Sequence, residues 1–313
     1  FFHGLLALVA FLLGADSSFA QMDHHLIRRV SVFPMKANKE LNKAAEEAWW
    51  QVREVLTENQ RFLVASRNFL IQRDVYQPRE EIKPADVILL SKLLDAQALI
   101  SIFIENRVLS MRVYEGEYGR ILWSHDLTLH PSLPISDQIA GGAKKLAYDF
   151  IASIPYQGFV VMDALNRNAV YMEKGKPRVK VFVGASSGIA VGDTVQLVRI
   201  YHDSLKPLFT PETVPEIFAE GAVQSMDRDV VTVELNRMAK NTQITELTLA
   251  RIPKEQLRLR EAYALIPGLA GQVGGDVYAP EAAPLAQEIA EKKPLATALT
   301  FIANLAAFLL LAF

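Results

Sequence analysis

Ser186 is the residue whose surroundings most resemble a catalytic motif. It lies at the centre of a Gly-x-Ser-x-Gly sequence that runs from Gly184 to Gly188. In serine hydrolases this spacing forms a sharp turn between a strand and a helix, which exposes the nucleophile. A second turn at Gly192 and a Val-rich strand follow instead of a helix, and His202 is the only downstream histidine. The sequence therefore favours a turn of small residues, with a serine hydrolase using Ser186 as the alternative.

The other reactive residue types do not form a recognisable site. His24 and His25 fall in a segment that we expect to be mobile, and the only carboxylate close in sequence to His125 and His130 is Asp126. The chain has no cysteine, so it has neither thiolate ligands nor disulfides. We therefore predict no catalytic residue, no metal site, no cofactor and no small-molecule substrate.

Two neighbouring tryptophans are candidates for a contact with another protein. Trp49 and Trp50 lie in an amphipathic segment with apolar residues at three- and four-residue spacing. Neighbouring residues on a helix point about 100° apart, so one indole can enter the core while the other stays exposed. Two interpretations remain open: both rings are packed, or Trp50 contacts a partner.

The N-terminal residues have the pattern of a secretory signal. An apolar run at residues 1–13 is too short to span a bilayer, and Ser18 and Ala20 form the small-x-small pattern that signal peptidase recognises. We expect residues 1–20 to be a signal peptide and Gln21 to begin the mature protein.

The C-terminal residues have the composition of a membrane span. Residues 294–313 carry no charge and follow Lys292 and Lys293. These two lysines form a basic flank, which the positive-inside rule would place in the cytoplasm. We predict a transmembrane helix that anchors a periplasmic body in the inner membrane. The predicted lipid-facing residues are Leu295, Phe301, Leu305, Phe308 and Leu309.

The residues between the two ends predict an α+β fold with two domains. Residues 26–156 read as β-α-β-α-β-β-β-α, which indicates a mixed sheet with packed helices. Residues 158–252 contain short β runs between turns, typical of a small barrel of the SH3 or OB kind, with a surface loop at 203–215. Residues 253–293 contain Gly268, Gly271, Gly274 and Gly275 together with several Pro and Ala residues, and we predict a linker.

Several runs in the first domain carry a resemblance to a known group of proteins. They are RVSVFP (29–34), RFLVASR (61–67), LDAQALI (94–100), RVY (112–114) and GRILW (119–123). The pattern resembles the α/β domain shared by the TolB N-terminal region, the CsgG-type secretion proteins and the middle domain of FlgT. Residues 158–252 are similar to the small C-terminal barrel of FlgT. The resemblance implies a periplasmic protein-interaction domain, although the lipid-attachment cysteine of the lipoprotein members is missing and a C-terminal span is not part of the FlgT pattern.

Charge and composition limit the classes of partner. With 33 basic and 35 acidic residues the formal net charge is −2, so no overall field attracts nucleic acid. The sequence favours a non-enzymatic scaffold of a flagellar-motor, secretion or envelope-integrity machine, with envelope proteins as partners and a homo-oligomeric ring as one arrangement. The alternatives are a peptidoglycan- or glycan-binding module and the hydrolase that uses Ser186.

The predicted anchor can be tested by truncation. The 19 residues from 295 to 313 would rise about 28 Å as a helix, close to the ~30 Å hydrocarbon core. Ending the chain before Lys292 should release a soluble periplasmic protein. Leu305→Arg should weaken membrane insertion by about 2.5 to 3.5 kcal/mol. If the truncated protein still sediments with membranes after a high-salt wash, the anchor lies elsewhere.

Overall fold

The computed structural model describes residues 25–163, 168–201, 207–210, 213–240 and 242–264. The predicted signal peptide and transmembrane helix lie outside these ranges, and so do the predicted lipid-facing residues Leu295, Phe301, Leu305, Phe308 and Leu309. Within the described ranges, no helix is both long enough and apolar enough to cross a membrane.

A five-stranded mixed sheet forms the first half of the fold. Its strands are β1 (Arg29–Val32), β2 (Leu63–Val64), β3 (Ala98–Glu105), β4 (Val108–Glu115) and β5 (Ile121–Thr128). They lie side by side in the order β2-β1-β3-β4-β5. Strand β1 pairs in parallel with both β2 and β3, whereas β3, β4 and β5 form an antiparallel meander. The parallel pairs require long crossover connections, and helices supply them.

Helices cover both faces of this sheet. They are α1 (Asn42–Glu58), α2 (Arg67–Gln72), α3 (Pro84–Leu94) and α4 (Ile135–Ser153). On one face, Gly142 of α4 approaches so closely that an added Cβ would lie 2.9 Å from the Leu109 side chain, and α1 packs beside α4. On the opposite face, the Tyr114 hydroxyl accepts a hydrogen bond from the backbone N–H of Ile82, just before α3. Leu109 and Tyr114 belong to the same strand, and its side chains alternate between the two faces.

A small β-barrel forms the second half. Its strands are β6 (Gly158–Val161), β7 (Val170–Glu173), β8 (Lys176–Phe182), β9 (Thr194–Arg199), β10 (Glu216–Asp227), β11 (Val230–Met238) and β12 (Leu249–Arg251). Six of them follow the order β11-β10-β9-β12-β6-β8, and β8 pairs back with β11, which closes the sheet. Strand β7 forms a hairpin with the first part of β8. The predicted α+β class, with a mixed sheet, packed helices and a small barrel, is therefore confirmed.

The predicted surface loop at 203–215 is wrong for two of its residues. Leu208 and Phe209 are buried, and the backbone N–H of Phe209 donates a hydrogen bond to the carbonyl oxygen of Leu122, at the edge of the first sheet, over 2.7 Å. Burying the apolar surface of a phenylalanine side chain stabilises the fold by more free energy than exposing the surrounding turn residues does. This segment therefore holds the barrel against strand β5.

The predicted linker is also wrong at its start. Helix α5 (Pro253–Ala264) follows the last strand directly. Proline suits the first turn of a helix, where its missing N–H would have no partner in any case. The buried carboxylate of Glu255 accepts hydrogen bonds from the backbone N–H of Gly188 (3.0 Å) and from the guanidinium of Arg258 (2.7 Å). The bond from Gly188 fixes α5 to the turn between β8 and β9, and Arg258, in the same helix, holds the carboxylate in place.

The N-terminal segment is anchored, which corrects the expectation that His25 is mobile. The His25 side chain is buried, and its Nδ1 lies 2.7 Å from Oε1 of Glu115. The backbone N–H of Ile27 donates to the Tyr156 hydroxyl (2.8 Å), which itself donates to the carbonyl oxygen of His25 (2.9 Å). The Tyr156 ring also stacks edge-on against Phe209, with the centroids 6.1 Å apart. Tyr156 therefore joins the N-terminal segment to the residues that hold the barrel in place.

Replacing Tyr156 tests this junction. Burial raises the pKa of the Tyr156 hydroxyl, so it is protonated and able to donate at neutral pH. Tyr156→Phe leaves the N–H of Ile27 and the carbonyl of His25 buried without this partner, and should lower the free energy of unfolding by about 1 to 3 kcal/mol. Urea-induced unfolding measures the change.

The matched control is Tyr201→Phe. Tyr201 is exposed and its hydroxyl donates to Glu216 at the surface, so the expected change lies within about 0.5 kcal/mol. Equal losses in the two variants would contradict a structural role for the Tyr156 hydroxyl.

Candidate functional site

The two adjacent tryptophans have different surroundings. Trp49 is 1% exposed, and its indole N–H donates to the backbone carbonyl of Val32 in β1 over 2.9 Å. Trp50 is 46% exposed, and its ring lies edge-on to that of Trp49, with the centroids 4.8 Å apart. One tryptophan thus joins α1 to the sheet, while the next presents much of its indole to solvent.

Arg53 makes cation–π contacts with both indoles. Its guanidinium carbon lies 4.6 Å from the ring centroid of Trp49 and 5.0 Å from that of Trp50. The same guanidinium donates to the backbone carbonyl of Ala65, just after β2, over 3.0 Å. Burial lowers the pKa of Arg53, but a guanidinium remains charged in neutral solution. The stacked cation limits the orientations that Trp50 can adopt.

A second aromatic–cation pair extends this arrangement. The Tyr76 ring lies 5.4 Å from the Trp49 ring in a T-shaped contact, and the Arg67 guanidinium lies 5.1 Å from the Tyr76 ring. Arg67 also pairs with Glu46 over 3.3 Å, and Ser66 accepts a hydrogen bond from the backbone N–H of Phe69 and so caps α2. We call Trp49, Trp50, Arg53, Arg67 and Tyr76 the aromatic–arginine cluster.

This composition is that of protein-binding surfaces. Tryptophan, tyrosine and arginine are the residue types that contribute most binding energy at interfaces. A preorganised aromatic ring loses little conformational entropy when a partner covers it. The cluster therefore has the composition of a recognition surface.

Sequence reasoning identified Trp49 and Trp50 but missed the other three members of the cluster. Arg53 could have been found, because it lies four residues after Trp49 and three after Trp50, the spacings at which helical side chains meet. Tyr76 could not, since it reaches Trp49 only through the folding of the segment after α2.

A cavity of about 600 Å³ lies at the sheet end where β1, β3 and β5 begin and β4 ends. Its polar lining residues include His25, Ser91, Lys92, Asp95, Gln97 and Glu115. Most of these are occupied by the protein itself. Glu115 is bonded to His25 through one oxygen and to Arg120 through the other (3.0 Å), and Asp95 pairs with Arg29 (3.0 Å). Glu115 and Asp95 thus stabilise the N-terminal segment and the start of β1.

Ser186 lies in the turn between β8 and β9. Its hydroxyl donates to the backbone carbonyl of Asn59, at the end of α1, over 3.0 Å, and its own carbonyl accepts from Arg258 (3.2 Å). His202 lies outside the described residues. In the ranges that the structure describes, no group of three or more His, Asp or Glu residues could hold a metal ion. The contacts of Ser186 join the barrel to α1 and to α5.

We expect Ser186→Ala to act on stability alone. Loss of the hydrogen bond to Asn59 should lower the free energy of unfolding by about 0.5 to 1.5 kcal/mol. Chemical denaturation measures this, and growth of a strain carrying the variant should match the wild type at equal protein level. A variant with unchanged stability and a lost phenotype would indicate a nucleophile instead.

No protein-family model matches this chain, and no curated protein does. Among solved structures, the LpoB C-terminal domain from Escherichia coli is 22% identical, over 38% of this chain and 90% of that chain, with a TM-score of 0.25. Lipoprotein GNA1162 from Neisseria meningitidis is 12% identical, over 40% and 98%, with a TM-score of 0.28. TolB from Acinetobacter baumannii is 12% identical, over 70% and 62%, with a TM-score of 0.27. Scores this low support no conclusion about function, and the likeness to the CsgG-type proteins and FlgT stays a prediction.

Proposed function

We propose that this chain is a non-enzymatic component of the bacterial cell envelope that acts by contact with other proteins. Its body lies in the periplasm after export, and the C-terminal helix predicted at residues 294–313 anchors it in the inner membrane. Flagellar-motor, secretion and envelope-integrity machines are the assemblies in which such a component would serve. The pattern of the two chain ends supports the location, and the aromatic–arginine cluster supports the mode of action.

The half-exposed Trp50 is the observation that carries this proposal. An indole that is exposed by chance on a helix would be free to change rotamer, whereas Trp50 lies against Trp49 and Arg53. Arg53 is in turn held by the carbonyl of Ala65. Truncating an interface tryptophan of this kind costs about 2 kcal/mol or more of binding free energy.

The hydrophobic core shared by the two halves also supports a scaffold role. Phe159, Val198 and Phe209 from the barrel half belong to the same buried cluster as the core of the sheet and helices. The guanidinium of Arg28 lies 5.1 Å from the Phe182 ring, across the same junction. A shared core keeps the surface around Trp50 at a constant position relative to the barrel, which a component that links two partners requires.

The hydrolase alternative is weaker on chemical grounds. The hydroxyl of Ser186 is already committed to the carbonyl of Asn59, which accepts but cannot remove its proton. A fluorophosphonate probe that labelled the purified protein at Ser186 would revive this alternative.

Trp50→Ala tests the proposed function. We expect the amount of protein that copurifies from detergent extracts to be at least about ten-fold lower with the variant than with the tagged wild type. The reason is that about 2 kcal/mol of binding free energy is lost. Quantitative mass spectrometry of the copurified material measures the change, with the amount of tagged protein held equal.

Leu89→Ala is the matched control. Leu89 is 66% exposed on α3, outside the cluster, so its truncation also removes exposed apolar surface. The copurified proteins should be unchanged in this variant. If Trp50→Ala retains them as well as Leu89→Ala does, the proposed contact is wrong.

A further inference from the structure

Two carboxylates flank the exposed side of Trp50. Glu47 lies three residues before it and Glu54 four residues after it, so all three side chains project from the same side of α1. Both glutamates are exposed. In the part of the chain that the structure describes, neither forms an ion pair, and this holds even for Glu47 and the exposed Lys43, four residues before it on the same helix. The outer surface around Trp50 is therefore apolar at its centre and negative on both sides.

The nearest basic side chain does not neutralise this surface. Arg53 is half-buried, stacks on both indoles and donates to the carbonyl of Ala65. Its position shows that the Trp50 ring accepts a cation on one side. The ring's remaining exposed area is open to a second cation, and Glu47 and Glu54 attract positive charge to it.

We propose that Trp50 binds a lysine or arginine in a basic segment of a partner protein. This deepens the proposed function and rests on it. The apolar stem of the partner side chain lies on the indole, and its charge lies between Glu47 and Glu54. Such a side chain uses both properties of the surface, because its methylene groups are apolar and its terminus is cationic. Neutral sugars could stack on the ring but would gain nothing from the two charges, and phosphate-bearing polymers would be repelled.

The intrinsic fluorescence of the protein offers a direct readout. The chain has three tryptophans, and Trp49 and Trp123 are 1% and 5% exposed, so quenching by acrylamide reports mainly on Trp50. The probe is a capped synthetic peptide of alternating lysine and leucine, with a matched peptide of glutamate and leucine as its control. The detergent-solubilised full chain should bind the lysine peptide, and binding should protect the Trp50 fluorescence from quenching by acrylamide. It should not bind the glutamate peptide.

Charge reversal tests the role of the glutamates. The double variant Glu47→Lys, Glu54→Lys should bind the lysine peptide about ten-fold more weakly than the wild type, and the loss should shrink as salt is raised. Glu246→Lys, at an exposed glutamate between β11 and β12 of the barrel, is the matched control and should change the affinity less than about two-fold.

Equal affinities in the double variant and the wild type would overturn the proposal. If Trp50→Ala still removes the copurifying proteins in that case, contact through Trp50 stands and only the basic partner is wrong. Trp50-dependent binding of purified peptidoglycan sacculi, with no binding of the lysine peptide, would overturn the basic partner in favour of a glycan.

Discussion

The hydrogen bond from the Trp49 indole to the carbonyl of Val32 sets the orientation of α1 on the sheet. It lies in the core, where a donor without a partner would be costly, so the helix cannot rotate without losing both the bond and the packing of the ring. With Trp49 turned inward, helical geometry places Trp50 about 100° away, at the edge of the buried face. The exposed indole is thus a direct consequence of how the helix packs.

A shared core gives this surface a defined place in the molecule. The Tyr156 hydroxyl, the buried Phe209 and the Ser186 contact to Asn59 all join the barrel to the sheet and helices. The carboxylate of Glu255 accepts from the N–H of Gly188, and Arg258 donates to the carbonyl of Ser186, so α5, the last helix of the described residues, is fixed to the barrel. From Trp50 to α5, the described fold forms a continuous packed structure. A partner bound at α1 is therefore held in a fixed position relative to the barrel.

Local patterns predicted the elements, and non-local contacts escaped prediction. Alternation and helical spacing gave the strands and the three longer helices of residues 26–156, because each pattern depends only on neighbouring residues. They missed α2, whose six residues are too few to show a helical period. The pairing of His25 with Glu115 joins residues 90 apart in sequence, so no spacing reveals it. Helix α5 was missed because the glycines and prolines further along dominated the composition of its segment. Helical geometry left open whether both tryptophans are packed, and only the fold shows that Trp50 is half-exposed and stacked on Arg53.

Site-specific photo-cross-linking in intact cells tests the central claim most directly. A photoreactive amino acid would replace Trp50 in one strain and Leu89, exposed on α3, in another. Our account predicts that position 50 yields a discrete cross-linked protein product and that position 89 does not. A chain that cross-links to no protein at position 50, or equally at both positions, would contradict the claim that Trp50 is a protein contact.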